Sequence, residues 1–275
     1  MKPNHDETEA RATEGLSLRA SVSTYNQVIF PHPEAGTIML ALERKATVLE
    51  DGSVIVLSQP FGGGIRILNP APLQKIIGKI QFDSERSKQE HDFRILIPAS
   101  KWDLIKEYTM HHLELADEEE IELESGPDRE LTEEFMDTMN VRIHAGQYTV
   151  KPLGFVIENN PVRSKNDYAR GQLTVHLYRV FRVQITAPSL CKIMWSINQL
   201  YSDEDLRELA RKDFEYGGHG RANTILTLPL SRVNESYLAL PPETRYRKIR
   251  VENHELDESV LAILRDVEVP QYQRV

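Results

Sequence analysis

Short apolar runs at strand length open the chain, and longer amphipathic stretches at helical period follow. Residues 38–42 (Ile-Met-Leu-Ala-Leu) and 54–57 (Val-Ile-Val-Leu) read as strands, and Asp51-Gly52 between them predicts a hairpin. Pro60-Phe61 leads into Gly62-Gly63-Gly64, which predicts a backbone-permissive loop. Residues 93–97 read as a strand. Ser100 is a candidate N-cap for a helix to about His112, with Trp102, Leu104, Ile105 and Tyr108 as its apolar set. Strands are expected over 148–157 and 173–185, joined by a long polar loop, 158–171. Residues 189–200 are expected to be helical. Ser202-Asp203-Glu204-Asp205 is a capping signature for a helix to about Phe214, stopped by Gly217-Gly218. Short strands over 225–230 and 248–251 precede a closing helix over 256–266, with Val260, Leu261 and Leu264 turned inward. Residues 1–16 are polar and read as a disordered tail ahead of a domain over 17–275. Strands are separated by loops more often than by helices, so the expected fold is α+β: a mixed or antiparallel sheet with helices packed on it.

Composition narrows the functional classes. A formal net charge of −9 argues against nucleic acid as a partner, because a phosphate backbone would be repelled overall. Cys191 is the only cysteine, which excludes an internal disulfide or a Cys-x-x-Cys metal site. The N-terminal residues lack an apolar signal region, and no apolar run approaches the ~20 residues of a membrane span. A cytoplasmic protein that does not engage membranes is therefore expected.

Chemistry concentrates after an acidic run. Residues 114–124 hold seven carboxylates, a pattern that reads as a solvated loop or face. A helix then opens at Ser125-Gly126-Pro127 and is expected to reach about Met139, with proline suited to the first turn. At about 100° per residue, Glu130, Glu133, Glu134 and Asp137 share one arc, and Leu131, Phe135 and Met139 share another that would face the core. Like charges at i, i+3 and i+4 repel by roughly 0.2–0.5 kcal/mol per pair. Arg129, four residues before Glu133, offsets part of this, and a hard divalent cation such as Mg²⁺ would remove the rest.

Arg129-Glu130-Leu131-Thr132-Glu133-Glu134 resembles the core of the Nudix box, Arg-Glu-aliphatic-any-Glu-Glu. The resemblance implies a Nudix-like mixed β-sheet sandwiched by helices, with an insertion at about 69–122 before the catalytic helix. It implies Mg²⁺- or Mn²⁺-dependent hydrolysis of a phosphoanhydride in a nucleoside diphosphate derivative. Glu133 and Glu134 would be the main metal ligands, Glu130 would assist, and Arg129 would orient a glutamate through an ion pair. Glu124 is a candidate general base. The Gly62-Gly63-Gly64 segment would be the glycine-bearing loop that precedes the helix in that family. The box is incomplete: Met136 stands where the family has glycine, Asp137 where it has an aliphatic residue, and Ile121 where it has an upstream glutamate. A catalytically degenerate module that binds a nucleotide or a protein is the alternative. The insertion could serve as a dimerisation arm, making a homodimer a candidate assembly.

Other signals are weaker. Arg163, Lys165 and Arg170 in the polar loop are candidate phosphate contacts, since arginine matches phosphate oxygens well, with a solvated loop as the ordinary reading. Arg44-Lys45 is a lesser candidate of the same kind. His111-His112 reads as a surface pair, because adjacent helical side chains diverge by about 100°. His219-Gly220-Arg221 reads as a connector. Ser189-Leu190-Cys191-Lys192 fits Ser-x-x-Lys without its companion motifs. Trp102 and Trp195 read as core or edge residues.

Overall fold

A computed structural model describes residues 16–114, 122–124, 126–164, 169, 171–241 and 249–264. The chain is a mixed α/β protein. In order, it forms β1 (Ser17–Pro31), β2 (Ile38–Val48), β3 (Val54–Gln59), β4 (Phe61–Gly64), α1 (Ala71–Ile77), β5 (Gln81–Phe82), α2 (Glu85–Glu90), β6 (Arg94–Pro98) and α3 (Trp102–Glu114). Then come α4 (Asp128–Met139), β7 (Tyr148–Arg163), β8 (Leu173–Ile185), α5 (Pro188–Asn198), α6 (Asp203–Glu215), β9 (Arg221–Pro229), α7 (Leu230–Leu238), β10 (Ile249–Val251), β11 (His254–Leu256) and α8 (Val260–Ile263). The described strands form one mixed sheet.

The organising strand is β1. One edge pairs antiparallel, in turn, with β6 over residues 17–21, β4 over 23–26 and β2 over 28–31. Its other edge runs parallel to β8 over residues 19–29. Alternation then sorts side chains to two faces. Val28 and Phe30 of β1 and Met39 and Ala41 of β2 pack with Leu131, Phe135 and Met139 of α4 and with Leu190 and Met194 of α5. Ile29, Leu40 and Leu42 point the other way, toward α7 and α8. The sheet therefore has helices on both faces. The segment between β4 and α4 makes its own core, in which Leu73, Phe93, Ile95, Ile105 and Leu113 close over Leu18, Ala20 and Val22. Its two ends meet where Ile67 bridges Leu123, with Leu68 N donating to Glu122 O and Glu124 N to Arg66 O.

Several expectations hold. The β2–β3 hairpin turns at Asp51-Gly52, Leu131, Phe135 and Met139 are buried, and Ser202 and Asp205 form a reciprocal capping box on α6. Others are corrected. The triple glycine is a strand and not a loop. Glycine serves there for close approach, since a Cβ on Gly62 would overlap the Thr24 carbonyl oxygen. The segment expected as a loop over 158–171 continues as β7 to Arg163. Among the described strands β7 pairs only with β8, an edge position that tolerates Pro152 and Pro161. Ser100 lies in a 3₁₀ turn ahead of α3, and Leu104 is exposed and does not join the core. Leu256 ends a strand, and the last described helix is the short α8. Of the tail expected over 1–16, residues 1–15 lie outside the described residues. Among the described residues, no helix is long and apolar enough to cross a membrane.

Candidate functional site

α4 meets the sheet across the glycine strand. Pro127 sits at its N-cap, and Leu131 and Phe135 anchor it, with the Phe135 ring 5.2 Å from that of Phe61. This seating presses the first turn against β4. Gly63 lies directly beneath Glu130, and a Cβ there would overlap the Glu130 carboxylate. Gly64 gives the same clearance to Asp92, whose carboxylate atoms would stand 2.8 Å from a Cβ. Asp92 comes from the segment between β4 and α4 and is held by a bridge to Arg66 and an ion pair with Arg94 at 3.0 Å. Two buried carboxylates thus press against the glycine positions of this strand.

The expected carboxylate arc is graded in depth. Glu130 is buried, Glu134 half-buried, and Glu133 and Asp137 exposed. Arg129 gathers the first group. Its Nε donates to Glu124 at 2.9 Å, one Nη to Glu133 at 3.0 Å and the other to the Gly64 carbonyl at 2.9 Å, and it also pairs with Glu130. One guanidinium is shared by three carboxylates, in the fork geometry that suits arginine. Burial pushes the Glu130 carboxyl up to about 7 against the pull of Arg129, and Glu133, Asp92 and Glu124 add to the rise.

Glu134 belongs to a second group. Burial raises its carboxyl well above the ordinary range, and the charge acting on it most strongly is Glu43. Glu43 is buried on the face of β2 that α4 covers. It accepts from Gln59 Nε2 at 2.6 Å and lies 3.9 Å from Lys45 Nζ. Lys45 opposes the rise at Glu134. Two carboxylates therefore share one distant ammonium.

The structure brings Arg129, Glu130 and Glu133 together and turns Glu134 toward Glu43. Among the described residues, no three His, Cys, Asp or Glu side chains enclose a common point as the ligands of a cation would. The donor set is nonetheless of the right type for Mg²⁺ or Mn²⁺: hard carboxylate oxygens, crowded and short of countercharge. Arg163 stands apart. It lies on β7, with β8 and β1 between it and β4, and donates to the Gly171 carbonyl at 3.0 Å. Lys165 and Arg170 lie outside the described residues. Arg44 is buried on the opposite face of β2 from Glu43, paired with Asp203 and the Tyr201 carbonyl. His112 is not a bare surface residue: it packs 4.4 Å from the Tyr108 ring, with Nδ1 3.1 Å from Glu122.

Sequence reading missed Glu43 and Asp92. Glu43 carried a usable signal, as a carboxylate directly after an apolar strand run. Asp92 carried none, because only the return of the segment after β4 brings it to Gly64. No family model matches the chain, and neither the curated proteins nor the solved structures give a match.

Proposed function

We propose that the protein is a Nudix-like hydrolase that uses Mg²⁺ or Mn²⁺ to cleave a phosphoanhydride in a nucleoside diphosphate derivative. The observation that supports this best is the seating of Glu130 over Gly63, with Arg129 clasping Glu124, Glu130 and Glu133. The glycines let the carboxylate-bearing helix lie close on the strand, so that acid groups and backbone meet with no side chain of their own between them. Glu130 and Glu134 would hold the cation, with Glu43 and Glu133 as further oxygen donors. A bound cation would supply Lewis acidity to the phosphoryl oxygens and countercharge to these carboxylates. Arg129 fixes the Glu130 and Glu124 carboxylates in place. Glu124, half-buried and held by Arg129, would be the candidate to accept a proton from an attacking water.

The second reading is a module of the same architecture that binds a nucleotide or a protein without turnover. Its support is that Glu130, Glu133 and Glu134 divide between two clusters and leave no ready-made ligand triad. Calorimetry with MgCl₂ and MnCl₂ separates the two, on the native protein and on Glu133→Gln with Glu134→Gln, followed by a phosphate-release screen over nucleoside diphosphate derivatives. The hydrolase reading expects metal binding that the double variant loses, together with release from at least one derivative. Binding without release favours the module. Absence of metal binding, with nucleotide present, removes the hydrolase.

A further inference from the structure

The sheet face that carries Glu43 continues past α4. In the β2–β9 ladder Glu43 lies opposite Ile225, Lys45 opposite Asn223 and Thr47 opposite Arg221, so these six side chains share one face. Packing agrees on both sides of the sheet. Ile225 joins Leu131 and Phe135 of α4, whereas the alternate residues Ala46 and Ala222 pack on Leu206 and Ala210 of α6. Beyond Ile225 the burial ends: Lys45, Thr47, Asn223 and Arg221 are all partly exposed. The two strands thus form an open shelf whose inner end is Glu43, with Glu134 above it.

Two cations stand on this shelf. Lys45 Nζ is 3.9 Å from Glu43, and its charge acts on Glu134, so it reaches back to the carboxylates. Arg221 starts β9, where its backbone N–H donates to Asp213 Oδ2 at 3.2 Å and fixes the strand to the end of α6. The Arg221 side chain makes no ion pair or hydrogen bond among the described residues. Its Nε is buried, so contact with a ligand falls to the two Nη groups. Lys45 and Arg221 are diagonal neighbours across the ladder, about 7–8 Å apart at the backbone, a spacing that two long side chains can close around one anion. A guanidinium fork matches phosphate oxygens, and an ammonium adds a point charge.

We propose that Lys45 and Arg221 form the subsite for the second phosphate of a diphosphate substrate, the one farther from α4. The inference rests on the hydrolase reading, because Glu43, Glu134 and Asp137 would repel a bare anion and a bound divalent cation reverses that local charge. It moves the phosphate contacts from the β7 end of the sheet, where Arg163 lies, to the β2–β9 ladder beside the glutamates.

Imidodiphosphate, whose P–N–P link resists hydrolysis, is the probe, titrated by calorimetry with MgCl₂ present. The native protein is compared with Arg221→Gln and with Arg163→Gln. The expected result is saturable binding that Arg221→Gln weakens about tenfold and Arg163→Gln leaves unchanged. Arg221→Gln should keep the native Tm and bind MgCl₂ alone as the native protein does, so the weakening reports the anion. The proposal is overturned if imidodiphosphate does not bind up to about 10 mM, if Arg221→Gln binds it as tightly as the native protein, or if Arg163→Gln weakens it equally. Turnover of a nucleoside diphosphate derivative with unaltered imidodiphosphate affinity in Arg221→Gln removes the subsite and keeps the hydrolase. Arg221-dependent binding without turnover of any derivative keeps the subsite and removes the hydrolase.

Discussion

Two buried charged regions sit on the same sheet and are built on opposite rules. At the start of β1, Arg19 pairs with Asp83 at 2.6 Å, with side chains 4% and 1% exposed, one cation to one anion. Beneath α4, Glu43 and Glu134 share Lys45, and Glu124, Glu130 and Glu133 share Arg129. Burial alone does not separate the regions. Charge balance does. A closed pair has no use for a further ion, whereas crowded carboxylates hold negative charge that only a proton or a bound cation relieves. Surplus charge, more than depth, marks the glutamates as the place to look for chemistry.

The largest effect is expected from opening the closed pair. Arg19→Leu leaves Asp83 buried without its partner and is expected to destabilise the fold by about 3–5 kcal/mol. Urea denaturation measures this, and added MgCl₂ should leave the loss unchanged. A loss below about 1 kcal/mol, or one that Mg²⁺ repairs, would erase the distinction between the two regions.

The difference also explains what could be read from the chain. The arc of Glu130, Glu133, Glu134 and Asp137 follows from helical period alone, and the buried Leu131, Phe135 and Met139 bear it out. The α6 capping box and the β2–β3 hairpin rest on contacts only a few residues apart, and such contacts are written in local sequence. The burial of β1 was hidden for the opposite reason. Arg19, Ser21, Ser23, Thr24, Asn26 and Gln27 are all buried, because neighbours on both edges and both faces enclose them. Residues 18–23 alternate strictly, Leu-Arg-Ala-Ser-Val-Ser, and carried a strand signal; what alternation hides is that the polar face is buried too, which depends on partners as distant as β8. The division of the glutamates between Arg129 and Glu43 was hidden likewise, since it depends on where β2 and β4 pass beneath α4.

A mid-sized effect comes from protonation. Glu130 has its carboxyl raised to about 7 from 4.5, and Glu134 is raised in the same direction. A carboxyl whose pKa is higher folded than unfolded binds its proton more tightly in the native state. Its favourable contribution is complete below the unfolded pKa and is lost as pH rises through the folded one. Stability is therefore expected to fall between about pH 4.5 and 7 and somewhat beyond. Glu134→Gln removes one of these groups. Its Tm should match the native protein near pH 4.5 and exceed it at pH 8 by roughly 2–6 °C. MgCl₂ at pH 8 should raise the native Tm and leave that of the variant unmoved. A Tm difference that does not grow with pH would contradict the assignment of surplus charge to Glu134.

The smallest effect lies at the exposed end of the same arc. Asp137 is in solvent, three residues from Glu134 and four from Glu133, with no cation of α4 close to it in sequence. Like charges at these spacings cost roughly 0.2–0.5 kcal/mol, and water and salt screen them. Asp137→Asn should stabilise the fold by about that amount at low ionic strength and by almost nothing in 1 M NaCl, as read by urea denaturation in the two buffers. Glu134→Gln should keep most of its gain in 1 M NaCl, because the repulsion it relieves is shielded by protein and reached poorly by ions. If the two variants respond to salt alike, Glu134 is solvated as Asp137 is. The buried end of the arc would then have no electrostatic claim to be a site.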